Sequence, residues 1–541
     1  MRLLVVWLAT LCGRQILTPA KCIVRRTLML AMVVGCVAGG LQAQVSDNLG
    51  SVGLEQMWQG QVEMPIGRGS IVSAQLWSSA KLKRQYAELT FNVESSLGSV
   101  NSRTIRVSAD KLGIDGKPIG FDVAKKEAEV IATRLLGRAP GAAAVEVVSP
   151  IVFLITTTSD GAVQAFDGES GQLLWANSAD VAAHPTAPAS VSDEGVAVVH
   201  GLHIQLYDLM TGKLIGSRPL KFATANGVAL VGTHAFVPSI TGQVSCYNFA
   251  ADANKQPWIQ LLRGQPTGVP IGHQAPKAIS AIATTKGDVM VFAVRSGVES
   301  WFAYRSKNPI VGPISFSGNG LYAGDSLGQI VKIASDRDGL PQWRVQLGQT
   351  LASPVAVFDN RAYLVTEAGY MYAMDDNDGS RLWEHPTPRI KDVLAATATR
   401  LYCRSLTDRL LVVEIKTGKI VAETGPAVIG TSVQNSLNDR LYIIAQNGRI
   451  QAMREKGADH ALAKFHQPIA TTPAAAGGNR AAPAAQPAMP TEPATDPFGG
   501  AGMDSGASPA PAAGTDPFGG GATDPFGAPP AAGNPPAGNP F

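Results

Sequence analysis

IVFLITTTSDGAVQAFDGESGQLLW, residues Ile151 to Trp175, decides the fold of this chain. An apolar run feeds Ser159-Asp160-Gly161, and the alternating stretch Val163–Asp167 follows. A glycine-containing turn then leads into a strand that ends on Trp175. Glycine accepts the positive φ that a tight hairpin demands, and alternation turns one face of each strand toward a core. The unit returns as RAYLVTEAGYMYAMDDNDGSRLW at Arg361–Trp383 and as GLYAGDSLGQIVKIASDRDGLPQW at Gly320–Trp343. Weaker copies end at Trp301, pass through Leu206–Lys213 and Val412–Lys419, and span Leu441–Met453.

The hairpin anchors fall at Gly161, Gly201, Gly242, Gly287, Gly328, Gly369, Asp408 and Gly448, with spacings of 40, 41, 45, 41, 41, 39 and 40. A period of about 40 residues carrying short strands is the signature of a β-propeller. One four-stranded blade cannot bury both faces, so blades stack around an axis and the ring closes. The tryptophan that ends a unit supplies an apolar plug between blades. The last unit lacks such an outer strand, and LEQMWQGQV at Leu54–Val62 has its character. The expectation is an all-β, about eight-bladed propeller closed by an N-terminal strand, with a small α+β insertion and a disordered C-terminal tail.

The domains read as follows. Residues 1–43 form a signal peptide: Lys21, Arg25 and Arg26 precede the apolar run Leu28–Gly40, and Leu41-Gln42-Ala43 offers a cleavage site. Within it Val33-Val34-Gly35-Cys36 resembles a lipobox, which makes Cys36 a candidate for lipidation. Residues 44–62 carry the closing strand, 63–144 the insertion and 145–460 the propeller. Residues 461–541 are a Pro/Ala/Gly-rich tail that cannot bury enough apolar surface to offset ordering entropy. The insertion shows strand candidates at Ser70–Trp77, Tyr86–Val93 and Thr104–Ser108. It also holds a helix capped by Asp122, with Ala124, Ala128, Ile131 and Leu135 on one face and Gly137 at its end. In the tail, TDPFGG and TDPFGA repeats hold Phe498, Phe518 and Phe526, and the chain ends on Phe541; these are candidate weak anchors for a partner.

A net charge of +3 over 541 residues, with no basic stripe, gives no footing for nucleic acid. The run Lys81-Leu82-Lys83-Arg84 reads as a solvated face. With the leader removed only Cys246 and Cys403 remain, four blades apart and in apolar strands, so they read as buried thiols rather than a disulfide. His184, His200, His203 and His234 are scattered. The Asp-rich runs Asp375–Asp378 and Asp336-Arg337-Asp338 sit where a hairpin wants Asp and Asn. No catalytic, cofactor or metal constellation stands out.

The SDGAVQAFDGESGQLLW and AGYMYAMDDNDGSRLW units resemble PQQ-like, quinoprotein-type propeller repeats, and the resemblance covers about residues 145–457 plus the closing strand. It implies either a quinoprotein dehydrogenase holding PQQ and calcium on the axis, or a non-enzymatic BamB-like scaffold. The dehydrogenases carry adjacent cysteines beside the cofactor, and this sequence has no Cys-Cys. The resemblance thus implies a non-enzymatic, exported scaffold of the periplasm or outer envelope. Its partners would be other envelope proteins, met through blade loops or tail, with no cofactor and no nucleic acid. Alternatives are a PQQ-dependent redox protein and a carbohydrate-binding propeller.

Overall fold

A computed structural model of the protein describes residues 49–458, apart from 51, 65–69, 95–99, 180–182, 275–276, 318–319, 335–338 and 425–428. The leader with Cys36, the tail with Phe498, Phe518, Phe526 and Phe541, and Asp336-Arg337-Asp338 lie outside the described residues.

The strands are β1 (Leu54–Gln61), β2 (Ile71–Glu94) and β3 (Val100–Ser108), then helix α1 (Gly120–Leu136), then β4 (Val145–Thr158), β5 (Val163–Asp167) and β6 (Leu173–Asn177). Seven further groups of strands follow at the repeat period. Among the described residues they form eight antiparallel sheets. The first carries β3, β2, β4, β5 and β6 in that order. In the eighth, β1 pairs antiparallel with Arg449–Glu455, from Leu54 opposite Glu455 to Gln61 opposite Arg449.

Each sheet shares a buried apolar cluster with the next. Phe153 and Val163 of the first meet Val196 and Tyr207 of the second, and Phe236 of the third meets Phe292 of the fourth. The series ends where Trp58, Tyr442 and Ile450 of the eighth pack with Leu154 and Phe166 of the first. The eighth interface is therefore built like the others, and the apolar cores run round the ring. All eight hairpin anchors adopt positive φ, from 57° at Gly201 to 92° at Gly161, and Asp408 does so at 59° without being glycine. The local backbone requirement explains why the repeat is punctuated at those positions.

Three expectations change at the first blade. Ser70–Trp77 and Tyr86–Val93 are not separate strands but parts of β2, which runs through an irregularity between Ser78 and Lys83. Its first half pairs with Val152–Thr158 as the innermost strand of blade 1, so residues 71–78 belong to the ring. Its second half, with β3 and the start of β4, extends outward as a flap. Helix α1 covers the flap through Ala124, Ala128 and Ala132, which pack on Ala87, Leu89 and Val107. Leu135 is half exposed rather than on the buried face, and Ile119, not Asp122, is the N-cap. Small alanines let the helix backbone sit close to the sheet, which outranked the larger leucine.

Arg84 is also not solvated. It donates to Asp167 at 2.6 Å across 83 residues of sequence. Burial works against its charge, but that bond outweighs it and raises the guanidinium pKa. Together with Tyr86, which hydrogen-bonds Glu169, it ties the flap to the outer turn of blade 1.

Candidate functional site

The blades dock through a repeated device. At the outer edge of the blade, just past a β-bulge in the case of Trp58, Trp175 and Trp343, a tryptophan meets the next blade's turn of the form acid-x-x-x-Gly. Trp175 Nε1 donates to the Leu209 carbonyl at 2.9 Å, within Asp208–Gly212. Trp343 donates to Asp376 at 2.9 Å, within Asp375–Gly379, and Trp383 to Ile415 at 2.9 Å, within Glu414–Gly418. Trp58 of the closing strand donates to Gly168 at 3.0 Å, within Asp167–Gly171. The acid holds the turn: the Asp208 carboxylate accepts the Thr211 N–H at 2.8 Å. Although partial burial opposes it, these bonds hold Asp208 below the usual carboxylate pKa. The glycine lies against the indole. A Cβ on Gly212 would stand 2.6 Å from Trp175, and one on Gly418 2.7 Å from Trp383.

The Asp375–Asp378 run has two roles. Asp375 and Asp378 hold the turn as expected, accepting backbone N–H groups at 2.8 Å each. Asp376 instead turns inward, where Lys332 Nζ reaches its carboxylate at 2.7 Å and Tyr322 bonds its other oxygen. The partners come from the preceding blade, so no local pattern announces them.

The axial channel is a cavity of about 430 Å³ lined by inner-strand residues of seven blades, among them Gln75, Ser190, Pro270, Ser353, Asp392 and Gln434. Asp392 is its one carboxylate, and the lining holds no lysine or arginine. Ser432 donates to Asp392 at 2.6 Å, and Arg404 lies 3.7 Å from it while pairing with Asp408. PQQ is a planar tricarboxylate and needs cations around it; calcium needs several converging oxygens. This lining fits neither. No group of three or more His, Cys, Asp or Glu able to hold a metal occurs among the described residues.

A second cavity of about 400 Å³ lies between blades 3 and 4. Arg218, Lys255 and Arg295 line it with His234, Tyr247 and Trp258, and no carboxylate does. Trp258 occupies the plug position, opposite Cys246 on its neighbouring strand, yet it meets no acid-x-x-x-Gly turn. Blade 4 replaces that turn with a tight hairpin in which Arg295 N–H bonds the Gly297 carbonyl at 2.9 Å. Phe292 packs edge-on to the indole instead, at 5.6 Å between centroids. Burial pushes His234 below its ordinary pKa.

Cys246 and Cys403 are both buried and free, and burial raises both thiols far above the ordinary range. Cys246 lines the second cavity, while Cys403 packs in the core 4.0 Å from the Met371 sulfur. His200 and His203 flank the hairpin of blade 2, His200 bonding Thr186 at 2.8 Å and facing the His184 ring at 5.8 Å. They do not meet His234. Sequence reading missed Arg218, Lys255, Arg295 and Trp258. The signal was present: the 45-residue spacing between Gly242 and Gly287 marks the longer turn, 249–257, that carries Lys255.

A family model described as outer membrane protein assembly factor BamB matches residues 75–301 and 285–479, most of the chain and including the flap. Among curated proteins none matches in sequence. Similar solved structures include BamB from Moraxella catarrhalis, at 18% identity and TM-score 0.45 over 57% of this chain and 93% of that one. The computationally designed Ika8 protein aligns at 14% identity and TM-score 0.42, over 56% of this chain and 92% of that one. Sqt1 from Saccharomyces cerevisiae aligns at 10% identity and TM-score 0.43, over 56% and 92% respectively.

Proposed function

The chain belongs to the BamB family of PQQ-like repeat propellers, and from that premise we propose that it is an exported, non-enzymatic scaffold that binds other proteins of the cell envelope. The observation that carries this reading is the flap. Outside the ring, α1 exposes Val123, Val130 and Leu135, the loop before it exposes Leu112 and Ile114, and β4 exposes Val145 and Val148. Large apolar side chains gathered on one appendage mark a surface for a partner. The axial channel, which fits no quinone cofactor, supports the absence of redox chemistry from the proposal. Export would follow from the leader, with either Gln44 or a lipidated Cys36 as the new N-terminus. The mass of the mature protein distinguishes these. No helix among the described residues is long and apolar enough to cross a membrane.

The test places a photo-crosslinking side chain at Val130, at Ile114 and, as a control two blades away, at the exposed Lys416 of blade 7. The proposal expects discrete adducts with an envelope protein from the two flap positions and none from Lys416. Flap positions that yield no adduct, or the same adducts as Lys416, would contradict it.

A further inference from the structure

The cleft between blades 3 and 4 exists because two repeats depart from pattern on its two sides. Blade 3 lengthens its outer turn to 249–257, whereas blade 1 uses 168–172, and the extra residues bring Lys255 to the rim. Blade 4 shortens the corresponding turn to Arg295-Ser296-Gly297. The shortened turn withdraws the cover that other plug tryptophans have, leaving Trp258 half-buried on the cleft wall.

Its electrostatics are one-sided. Arg218 and Lys255 form no ion pair with any described residue. Arg218 is held by carbonyls, donating to Ala251 at 3.3 Å and Ser217 at 3.1 Å, with its guanidinium 5.2 Å from the Phe249 ring. Arg295 pairs with Glu299 at 2.8 Å, in a contact where both side chains are about half exposed. Such a pair is weak and exchangeable. An adjoining cavity of about 280 Å³ shares Arg295 and adds Lys277 and Trp301, and the Lys277 ammonium stands 4.4 Å from the indole centroid. Asp252, in the lengthened turn, is engaged by the Asn254 N–H at 2.9 Å.

We propose that this cleft is a binding site for an acidic saccharide: a sugar ring bearing a carboxylate, seated beside Trp258 with its anionic group met by Arg218, Lys255 and Arg295. A volume of about 400 Å³ falls in the range of small-molecule sites. Guanidinium groups bind carboxylates through paired, charge-assisted bonds, and an indole offers the flat apolar surface that a pyranose face covers. His234 and the side-chain N–H of Asn248, whose oxygen is taken by Thr233 and the Ala250 N–H, supply polar partners for hydroxyls. The site does not depend on the scaffold reading, which rests on the flap on blade 1.

Isothermal titration of the whole protein with a uronic-acid disaccharide, its neutral counterpart and a glutamate-rich peptide of equal charge tests the site. The acidic disaccharide should bind saturably and perturb Trp fluorescence. The neutral one and the peptide should bind at least about tenfold more weakly. Lys255→Ala and Arg295→Ala, at exposed positions that leave the blades intact, should each weaken the acidic sugar by about tenfold, and Trp258→Leu should remove the fluorescence change. Three results would overturn the proposal: no saturable binding into the millimolar range, equal binding of the neutral sugar or the peptide, or unaltered affinity in the folded Lys255→Ala/Arg295→Ala double variant.

Discussion

Trp175 and Trp258 occupy the same position of the first and third repeats and have different fates. Trp175 is buried, hydrogen-bonded to the next blade's turn and capped by Gly212. Trp258 has neither the carbonyl nor the glycine, and a basic cleft opens beside it. The first arrangement recurs at the 8–1, 1–2, 5–6 and 6–7 interfaces, including the one made by the closing strand. Elsewhere the plug is improvised. Gly216 stands at the position in blade 2 and Phe249 fills the space from the other side; Phe302 and Ala422 take it in blades 4 and 7. Regular docking holds the ring, and its omission makes room for a ligand.

The contrast breaks most directly by truncation. Trp383→Ala should cost about 3–5 kcal/mol in urea unfolding, and Trp258→Ala less than half of that. Equal losses would mean that the turn and its glycine contribute nothing. Lys332→Ala should cost a similar amount, about 3–5 kcal/mol, because it strands Asp376 inside the 5–6 interface. Lys332→Met with Asp376→Leu should recover most of it, measured the same way. Gly212→Ala comes next, at roughly 1–3 kcal/mol, since it combines φ of 68° with the approach to Trp175. Gly297→Ala, with nothing within 4 Å of its Cβ, should stay within about 0.5 kcal/mol.

A small, pH-dependent effect lies at the non-glycine anchor. Partial burial opposes ionisation of Asp408, but Lys391 and Arg404 outweigh it and hold its pKa below the ordinary value. A carboxyl depressed on folding stabilises above its unfolded pKa of about 3.9, and that contribution is lost as pH falls through the lower folded value. The stability gap between the protein and Asp408→Asn should be present at neutral pH and shrink below about pH 4. It should stay under about 1 kcal/mol, because the pair is partly exposed. A gap that persists in acid would assign the effect to backbone conformation instead.

What was legible in the sequence is what a residue carries in itself. The anchors could be read because positive φ selects glycine, and Asp408 could be placed by period alone. What depends on pairing could not. In sequence the repeat ends on Trp301, but a bulge opposite Val291 and Phe292 shifts the register, so Phe302 takes the plug position. The polar gap between Ser78 and Lys83 hid the continuity of β2, which only its partner β4 defines. Asp376 looked like a turn former because its lysine lies 44 residues away. The cleft left a trace as one long spacing, yet its chemistry needed both flanking turns in place.

The closing strand is the hinge of the account, and amide hydrogen exchange tests it most directly. If β1 is the outer strand of the eighth blade, amides of Leu54–Gln61 that bond to Arg449–Glu455 should be protected to the same degree as those of β6 in blade 1. Trp58→Ala should then speed exchange in both paired segments together. Exchange of Leu54–Gln61 at the rate of the loops, with Arg449–Glu455 unaffected by the substitution, would contradict a ring locked through its ends.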